Sequence, residues 1–372
     1  MRKKNKEFDV IIVGAGAAGL GVAIVLKKLG INHVILEKHS VGSSFKKWPK
    51  ETRFISPSFT GNFFKMPDLN AISPKTSPAF NLLTEHPSGK EFARYLEGIA
   101  KFYKLPVETN IEVKTVQDKQ DFFSINTSNG EYKSKFVIWA AGEYQYPRKM
   151  SFQGDHHCTH YSEISSFSDI KGEDCIVIGG YESGFDATVH LVKSGKKVTL
   201  IDASNYLNVV NSDSSYSLSP FTRDRVREVA NNYTYHKNTK VQEVKFDKEV
   251  YVVKTTKKTF TTKNKPINCT GFMSSLFHVQ ELFNFKDGYP ILNNYDESTR
   301  TNNLFLVGPQ VKHRNALFCF IYKYRQRFAI VAETIAKRNK ISRKLIKEIL
   351  HEYQDGNFYL EDLSCCDEEC TC

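Results

Sequence analysis

The feature that most constrains this chain is a pattern it carries twice: an apolar strand, a glycine-rich turn, a helix closed by glycine, and a second strand ending in an acid. In the first copy, Phe8 to Val13 is a short apolar run of the kind a parallel sheet buries on both faces. It enters Gly14-Ala15-Gly16-Ala17-Ala18-Gly19, and the spacing predicts a helix over Ala17 to Leu29 closed by Gly30. A strand predicted over His33 to Glu37 ends in the acid. In the second copy, Asp174 to Ile178 enters Gly179-Gly180-Tyr181-Glu182-Ser183-Gly184. A helix predicted over Phe185 to Ser194 closes at Gly195, and the strand Lys197 to Asp202 again ends in an acid. The glycine-to-acid spacing is the same in both copies, 14 to 37 and 179 to 202.

Strand, glycines, helix, strand and acid in this order form the fingerprint of a dinucleotide-binding βαβ unit. Gly14 permits the tight turn, Gly16 lets the backbone approach a pyrophosphate, and Gly19 lets helix pack on strand. The helix N-terminus at Ala17 and Ala18 stabilises the diphosphate charge, and Glu37 accepts from ribose hydroxyls. The second copy departs at one point: Tyr181 stands where the middle glycine belongs. Either Gly180 takes over the close approach, or the pyrophosphate sits further out, or the unit is a relic that binds nothing. Asp202 would repel a 2′-phosphate and so favours NADH, whereas Lys193, Lys196, Lys197 and Arg223 could offset it in favour of NADPH.

Each half continues alike. A hairpin around Asn129-Gly130 precedes the strand Phe136 to Ala140, which enters Ala141-Gly142. In the second half, strand-like residues from Tyr251 to Thr262 precede Ile267 to Cys269, which enters Thr270-Gly271. The fold expected is α/β, with two Rossmann-like domains and hairpin insertions. The boundaries fall at 1–150 with 290–355 for a discontinuous first domain, 151–289 for the second, and 356–372 for a C-terminal tail.

A chain of 372 residues is long enough for two such domains. The net charge of +11 comes from dispersed lysines, with no nucleic-acid motif and no continuous basic tract beyond the lysines near Met1. No stretch reaches the roughly 18 apolar residues that span a bilayer. The apolar run from Val10 is broken by glycines and lacks a cleavage site, so it does not read as a signal peptide. The expectation is a cytoplasmic protein that acts on a small-molecule substrate, with neither nucleic acid nor membrane as partner.

Cys158, Cys175, Cys269 and Cys319 are scattered, and no CxxC occurs. Cys158, Cys269 and Cys319 are candidates for a single active thiol, against the plainer reading of buried small apolar residues. The other four cysteines, Cys365, Cys366, Cys370 and Cys372, crowd the last eight positions among acids. Soft thiolates at this density suit a thiophilic metal ion such as Zn²⁺ or Cu⁺; a redox relay and an incidental tail are the alternatives. Two tails sharing a metal in a homodimer is one arrangement the spacing allows. His156, His157 and His160 read as a polar hinge ahead of a nucleotide or metal site.

Two Rossmann halves joined in this way resemble the two-dinucleotide-binding-domain flavoproteins over roughly residues 8 to 355. The resemblance implies FAD on the first motif and NADPH or NADH on the second. It then implies that Gly14, Gly16, Ala17, Ala18, Gly19, Glu37 and Lys38 hold FAD, with the backbone of Val113 at the adenine. Ala141-Gly142 with Pro147 is similar to the family's linker into the second domain, and Gly308 in NLFLVGPQ resembles its late FAD motif, with Pro309 where an acid is usual. Gly179 to Gly184, Asp202 and Gly271 would hold the pyridine nucleotide. A helix expected from about Asn315 to Arg338 would pack back on the first domain, with Tyr322, Lys323, Arg325 and Arg327 as its polar face.

Within that superfamily, Gly179 to Asp186 and the helix over 86 to 103 resemble the flavin-containing monooxygenase-like branch. Ser44, Phe45 and Trp48 sit where that branch has a segment near the flavin. Its identifying stretch is altered: Phe152-Gln153-Gly154 is present, but Cys158 replaces the expected histidine. The segment SFKKWPKETRFISPS is similar to the bacillithiol disulfide reductase group. The leading expectation is an NAD(P)H-dependent monooxygenase that forms a flavin C4a-hydroperoxide in a water-excluding pocket, with aromatics near Phe59 to Phe64 and Phe80 as lining. The alternatives are a thiol, disulfide or metal reductase, and a metal-binding redox sensor with structural FAD.

Overall fold

The computed structural model describes residues 6–59 and 67–366. In it the first motif forms as expected: β1 (Lys6–Val13), α1 (Ala17–Lys28) and β2 (His33–Leu36) make a parallel βαβ unit, with Val10 to Val13 in register with His33 to Leu36. The helix α2 (Gly89–Phe102) begins with a capping box between Ser88 and Glu91 and leads to the edge strand β3 (Val107–Glu108). The strands β4 (Val113–Asp118) and β5 (Phe123–Thr127) form the inserted hairpin region with β6 (Gly130–Trp139). β6 lies beside β1, and its last residues enter Ala140 and Ala141 at the carboxyl edge of the sheet.

The second domain opens with β7 (Thr159–His160). It repeats the βαβ unit as β8 (Asp174–Ile178), α3 (Glu182–Lys193) and β9 (Lys197–Ile201). After α4 (Pro220–Glu228) comes β10 (Tyr233–His236), giving a five-stranded parallel sheet once β14 (Ile267–Asn268) inserts between β8 and β7. An antiparallel meander of β11 (Val241–Asp247), β12 (Val250–Thr255) and β13 (Thr259–Thr262) stands where the first domain has its hairpin. The duplication read from the glycine spacing is therefore a duplication of topology.

The chain returns to the first domain with β15 (Leu304–Leu306), which pairs in parallel with the end of β6. The helices α5 (Phe328–Arg338) and α6 (Arg343–Asp355) follow. α5 packs on α1 because Gly21 has no side chain: a Cβ there would lie 1.9 Å from the Phe328 ring. Leu276, Val279 and Phe283 already belong to the first domain's core, so the chain returns to that domain nearer 275 than 290. Phe358, Leu363 and Cys366 are buried in the same core, which makes residues 358–366 part of the first domain.

One expected element differs. The stretch from Asn315 is a short strand at Ala316–Leu317, a helical turn at Ile321–Tyr324 and a tight turn at Arg325–Arg327 before α5 begins. Arg325 and Arg327 are not a solvated face but are buried, 2% and 0% exposed. Arg325 donates to the carbonyls of Asp68 and Ala71; Arg327 pairs with Asp296 and reaches the carbonyls of Asn294 and Leu360. Both guanidinium groups are buried because distant backbone oxygens converge on them, and helical periodicity carries no trace of that convergence.

Candidate functional site

Both glycine turns point their helix N-termini toward one cavity of about 450 Å³ between the domains. At the first turn Gly14 has φ +104°, and a Cβ on Gly19 would lie 2.0 Å from the Gly14 carbonyl oxygen. Only glycine permits this approach of α1 to β1. Gly16 is different: a Cβ there would meet nothing within 4 Å, because the residue faces the open cavity. α1 has no side-chain cap and no acid in its first turn, so its free N–H groups face that space with their positive end. This cradle fits a pyrophosphate.

The other residues expected at the flavin assemble around the same space. Ala17, Ala18, Glu37, Lys38, Ser44, Phe45, Trp48, Val113, Ala141 and Gly142 all line it. Gly19 lies behind it, and Gly308, at φ +120°, packs on Ala18 beside the lining residue Pro309. The Glu37 carboxylate accepts from the Ala15 and His39 amides at 2.8 Å and from the Ser43 hydroxyl at 3.2 Å, which fixes it at the cavity wall. Lys38 pairs with Glu112 at 2.8 Å, both at the cavity. Phe45, Trp48, Phe54 and Phe92 form one aromatic cluster behind the opening. Phe59 is 41% exposed and residues 60–64 lie outside the described set; Phe80, expected in the lining, is exposed and lines a separate groove. Its side chain leaves the short helix Pro78–Leu82 on the outer side.

The second turn has the same backbone and different surroundings. Gly179 has φ +105°, and a Cβ on Gly184 would lie 1.7 Å from the Gly179 oxygen. Glu182 and Ser183 line the shared cavity; Gly179, Gly180, Tyr181, Gly184, Asp202 and Gly271 are not among its walls. Gly180 is pressed against the Asp202 carboxylate, so it takes on that contact and not a phosphate. Asp202 is 2% exposed and accepts from the Ser204 amide, the Tyr206 amide and the Tyr235 hydroxyl, so its oxygens are already engaged by the protein. Gly271, at φ +100°, gives its carbonyl to His160. His160 is buried, which separates it from the paired rings of His156 and His157.

Several residues to which the sequence assigned no role at the site complete the cavity. Thr52, Tyr161 and Asp186 meet there: both hydroxyls donate to Asp186, at 2.7 and 2.8 Å, and Arg225 pairs with it at 2.7 Å. Burial alone would push the Asp186 carboxyl up, but His190 and Arg225 overcome this and hold it well below the usual carboxylate range. The signal was present as an acid on the buried face of a predicted helix. Glu143 also lines the cavity, and burial pushes its carboxyl up against the hydrogen bond from Gln310.

The scattered cysteines separate. Cys158, Cys175 and Cys269 are buried in the second domain's cores. Burial pushes the Cys158 thiol up to about 12. Cys319 is half-buried in the cavity wall, its thiol 3.1 Å from the Ser215 hydroxyl, which also accepts from Lys323 at 2.7 Å. Burial pushes this thiol up to about 11, against the pull of Ser215 and Lys323. In the tail, Cys365 is exposed and Cys366 is buried with its thiol pushed up to about 11; Cys370 and Cys372 lie outside the described residues. A thiol held protonated in an apolar core is a poor metal ligand, and among the described residues no group of three or more His, Cys, Asp or Glu is placed to hold a metal.

Two Rossmann domains facing one cavity, with an open pyrophosphate cradle on the first, define a two-domain dinucleotide-binding flavoprotein. Residues 11–308 match the pyridine nucleotide-disulphide oxidoreductase family, and the chain belongs to it. Its relatives are NAD(P)H-dependent flavoprotein oxidoreductases, and so is this enzyme. It is 25% identical over 333 residues to bacilliredoxin reductase of Bacillus subtilis, covering 88% of this chain and 97% of that one. It is 30% identical over 204 residues to the oxidoreductase CzcO of Bacillus velezensis, covering 53% and 55%, so that match spans about half of either protein. Among solved structures, bacillithiol disulfide reductase from Staphylococcus aureus superimposes with a TM-score of 0.74 at 21% identity, covering 90% and 99%. The flavin-containing monooxygenase from Stenotrophomonas maltophilia gives 0.62 at 16% identity, covering 94% and 99%. The shared fold spans both branches that the sequence resembles.

Proposed function

We propose that this flavoprotein reduces a disulfide of a small thiol substrate, with Cys319 as the thiol that faces it. One observation carries the reading: among the described cysteines, Cys319 alone stands in the wall of the flavin-side cavity. The near full-length similarity to a bacilliredoxin reductase supports it. Lys323, through Ser215, favours the thiolate that burial opposes. That thiolate would attack one sulfur of the substrate disulfide, forming a mixed disulfide on Cys319 and releasing the other half as a thiolate. FAD on the first cradle, reduced by a pyridine nucleotide, supplies the electron pair that returns both sulfurs to thiols. Anaerobic turnover of NADH or NADPH against low-molecular-weight disulfides tests this. Cys319→Ser should lose disulfide reduction while its flavin still bleaches on adding the nucleotide; undiminished disulfide turnover in that variant would remove Cys319 from the chemistry.

A second reading, oxygen insertion into a small substrate, is favoured by the Gly179–Asp186 motif and by the aromatic side chains of Phe45, Trp48 and Phe54 in the cavity wall, the kind of lining that keeps water from a reactive intermediate. It predicts an oxygenated product and oxygen uptake coupled to substrate. Uptake that yields only hydrogen peroxide argues against it.

A further inference from the structure

The two glycine turns share a backbone but not an environment. Where Gly16 opens on the cavity, Tyr181 is tied down. Its hydroxyl donates to the carbonyls of Ser215 and Ser217 at 2.9 and 3.1 Å, and its ring packs on Tyr206 at 4.8 Å. These partners belong to the segment 203–218, which follows β9 at the carboxyl edge of the second sheet. In a doubly wound sheet that edge is where a dinucleotide lies. Glu182, at the first position of α3, is tied down as well although it borders the cavity: it accepts from the Ser219 amide at 2.6 Å and the Thr222 hydroxyl at 2.6 Å. The adenosine half of the second mouth is thus covered by the chain's own residues, while the cavity side at Ser183 stays open.

We propose that the segment 203–218 is a gate over the adenosine half of the pyridine-nucleotide site, that Tyr181 is its latch, and that the gate also holds Cys319. The proposal rests on the reading that the second domain binds NAD(P)H, and deepens it. Three further observations support it. From Ala203 to Ser217 no residue is buried, and Val210 at the crest is 89% exposed; apart from the hinge residue Leu218 and the partly buried Tyr206 and Leu207, which pack on the second core, little apolar area opposes a local opening. Among the described residues the Asn205 side-chain oxygen, which is buried, has no hydrogen-bond partner, a defect of the closed arrangement that a shifted segment would relieve. The far side of the gate is seated on the first domain by polar contacts: Asp213 on Lys323, Ser214 on Tyr322 at 2.5 Å, and Ser215 on the Leu317 carbonyl at 3.0 Å. Ser215 is also the partner of the Cys319 thiol. Opening the second mouth therefore removes the group that screens Cys319, which couples nucleotide entry to exposure of the thiol in the cavity.

A latch lowers apparent affinity, because nucleotide binds only the open fraction. Tyr181→Phe keeps the ring and deletes both hydrogen bonds. In the full-length, FAD-loaded protein this variant should bind NAD⁺ or NADP⁺ about three- to tenfold more tightly by equilibrium titration, the span of about one net hydrogen bond. Without nucleotide, it should also be alkylated faster at Cys319, read by peptide mapping, and cut faster by chymotrypsin at Tyr206 or Leu207. Unchanged or weaker nucleotide binding together with unchanged alkylation and cleavage overturns the gate alone. If neither wild type nor variant binds NADH or NADPH, the nucleotide assignment fails and the gate falls with it.

Discussion

Gly19 is a position where one methyl group decides whether the flavin site exists. Its Cβ would lie 2.0 Å from the Gly14 oxygen, and backbone cannot yield as a side-chain tip can. Gly19→Ala should push α1 off β1, cost about 1–3 kcal/mol, and give protein with little bound flavin by visible absorbance; a fully yellow, equally stable variant contradicts this. Cys319 is governed by protonation. With its thiol pushed up to about 11 by burial, its alkylation should be slow near neutral pH and climb as pH rises toward that value. Lys323→Ala removes a cation that pulls the thiol down, so the climb should move to higher pH. Rates of single-site labelling against pH check both the position and its displacement.

At the scale of elements, the helices α3 and α4 are joined through Asp186, held between Arg225 and His190. Asp186→Asn leaves Arg225 without its charge partner at a site where Asp186 is only 5% exposed, and should cost about 3–5 kcal/mol by denaturant titration. Because the folded carboxyl lies below its unfolded value of 3.8, the stability it contributes is full above that pH and is lost as pH falls further. The strand β2 loses stability in the same direction, but in a higher pH window and through a group that the fold keeps neutral. Burial pushes the His33 imidazole below its ordinary 6.5; its Nδ1 contacts the Ile31 carbonyl at 2.8 Å, and its Nε2 has no partner among the described residues. The folded strand therefore favours neutral histidine, and its stability is full above 6.5 and declines as pH drops below that value. His33→Leu should flatten the fall of the melting temperature between about pH 7 and pH 5; an unaltered acid limb places the effect elsewhere.

At the scale of the molecule, the two domains are held together on both sides of the cavity. On one side Thr52 meets Tyr161 and Asp186, the Lys50 amide donates to the Ser165 carbonyl at 2.9 Å, and His86 stacks on Phe221 at 3.7 Å. On the other the gate segment sits on residues 317–323. The C-terminal stretch contributes to the first domain in a way its cysteines conceal: Phe358 and Leu363 are core residues, and the Leu360 carbonyl satisfies Arg327. Ending the chain after Asn357 should therefore destabilise the first domain by at least about 3 kcal/mol and lower flavin retention, both read by melting of the holoprotein. A tail that only carried metal or electrons would leave melting unaffected.

The repeated glycine spacing was enough to define two βαβ units, the open first cradle and the hairpin insertions. Each depends on contacts within about thirty residues, where chain geometry leaves few alternatives. Twelve of the fourteen residues expected at the flavin do line one cavity, because they sit at strand ends and loop starts whose positions the sheet order dictates. What required the tertiary structure was decided by partners far away in sequence. Cys319 reaches the cavity while Cys158 and Cys269 stay in cores; Arg325 and Arg327 find acceptors at 68, 71, 294, 296 and 360; and Tyr181 closes on carbonyls 34 and 36 residues ahead. Burial, hydrogen-bond satisfaction and access to a cavity are properties of converging segments, so no local pattern in the chain could have carried them.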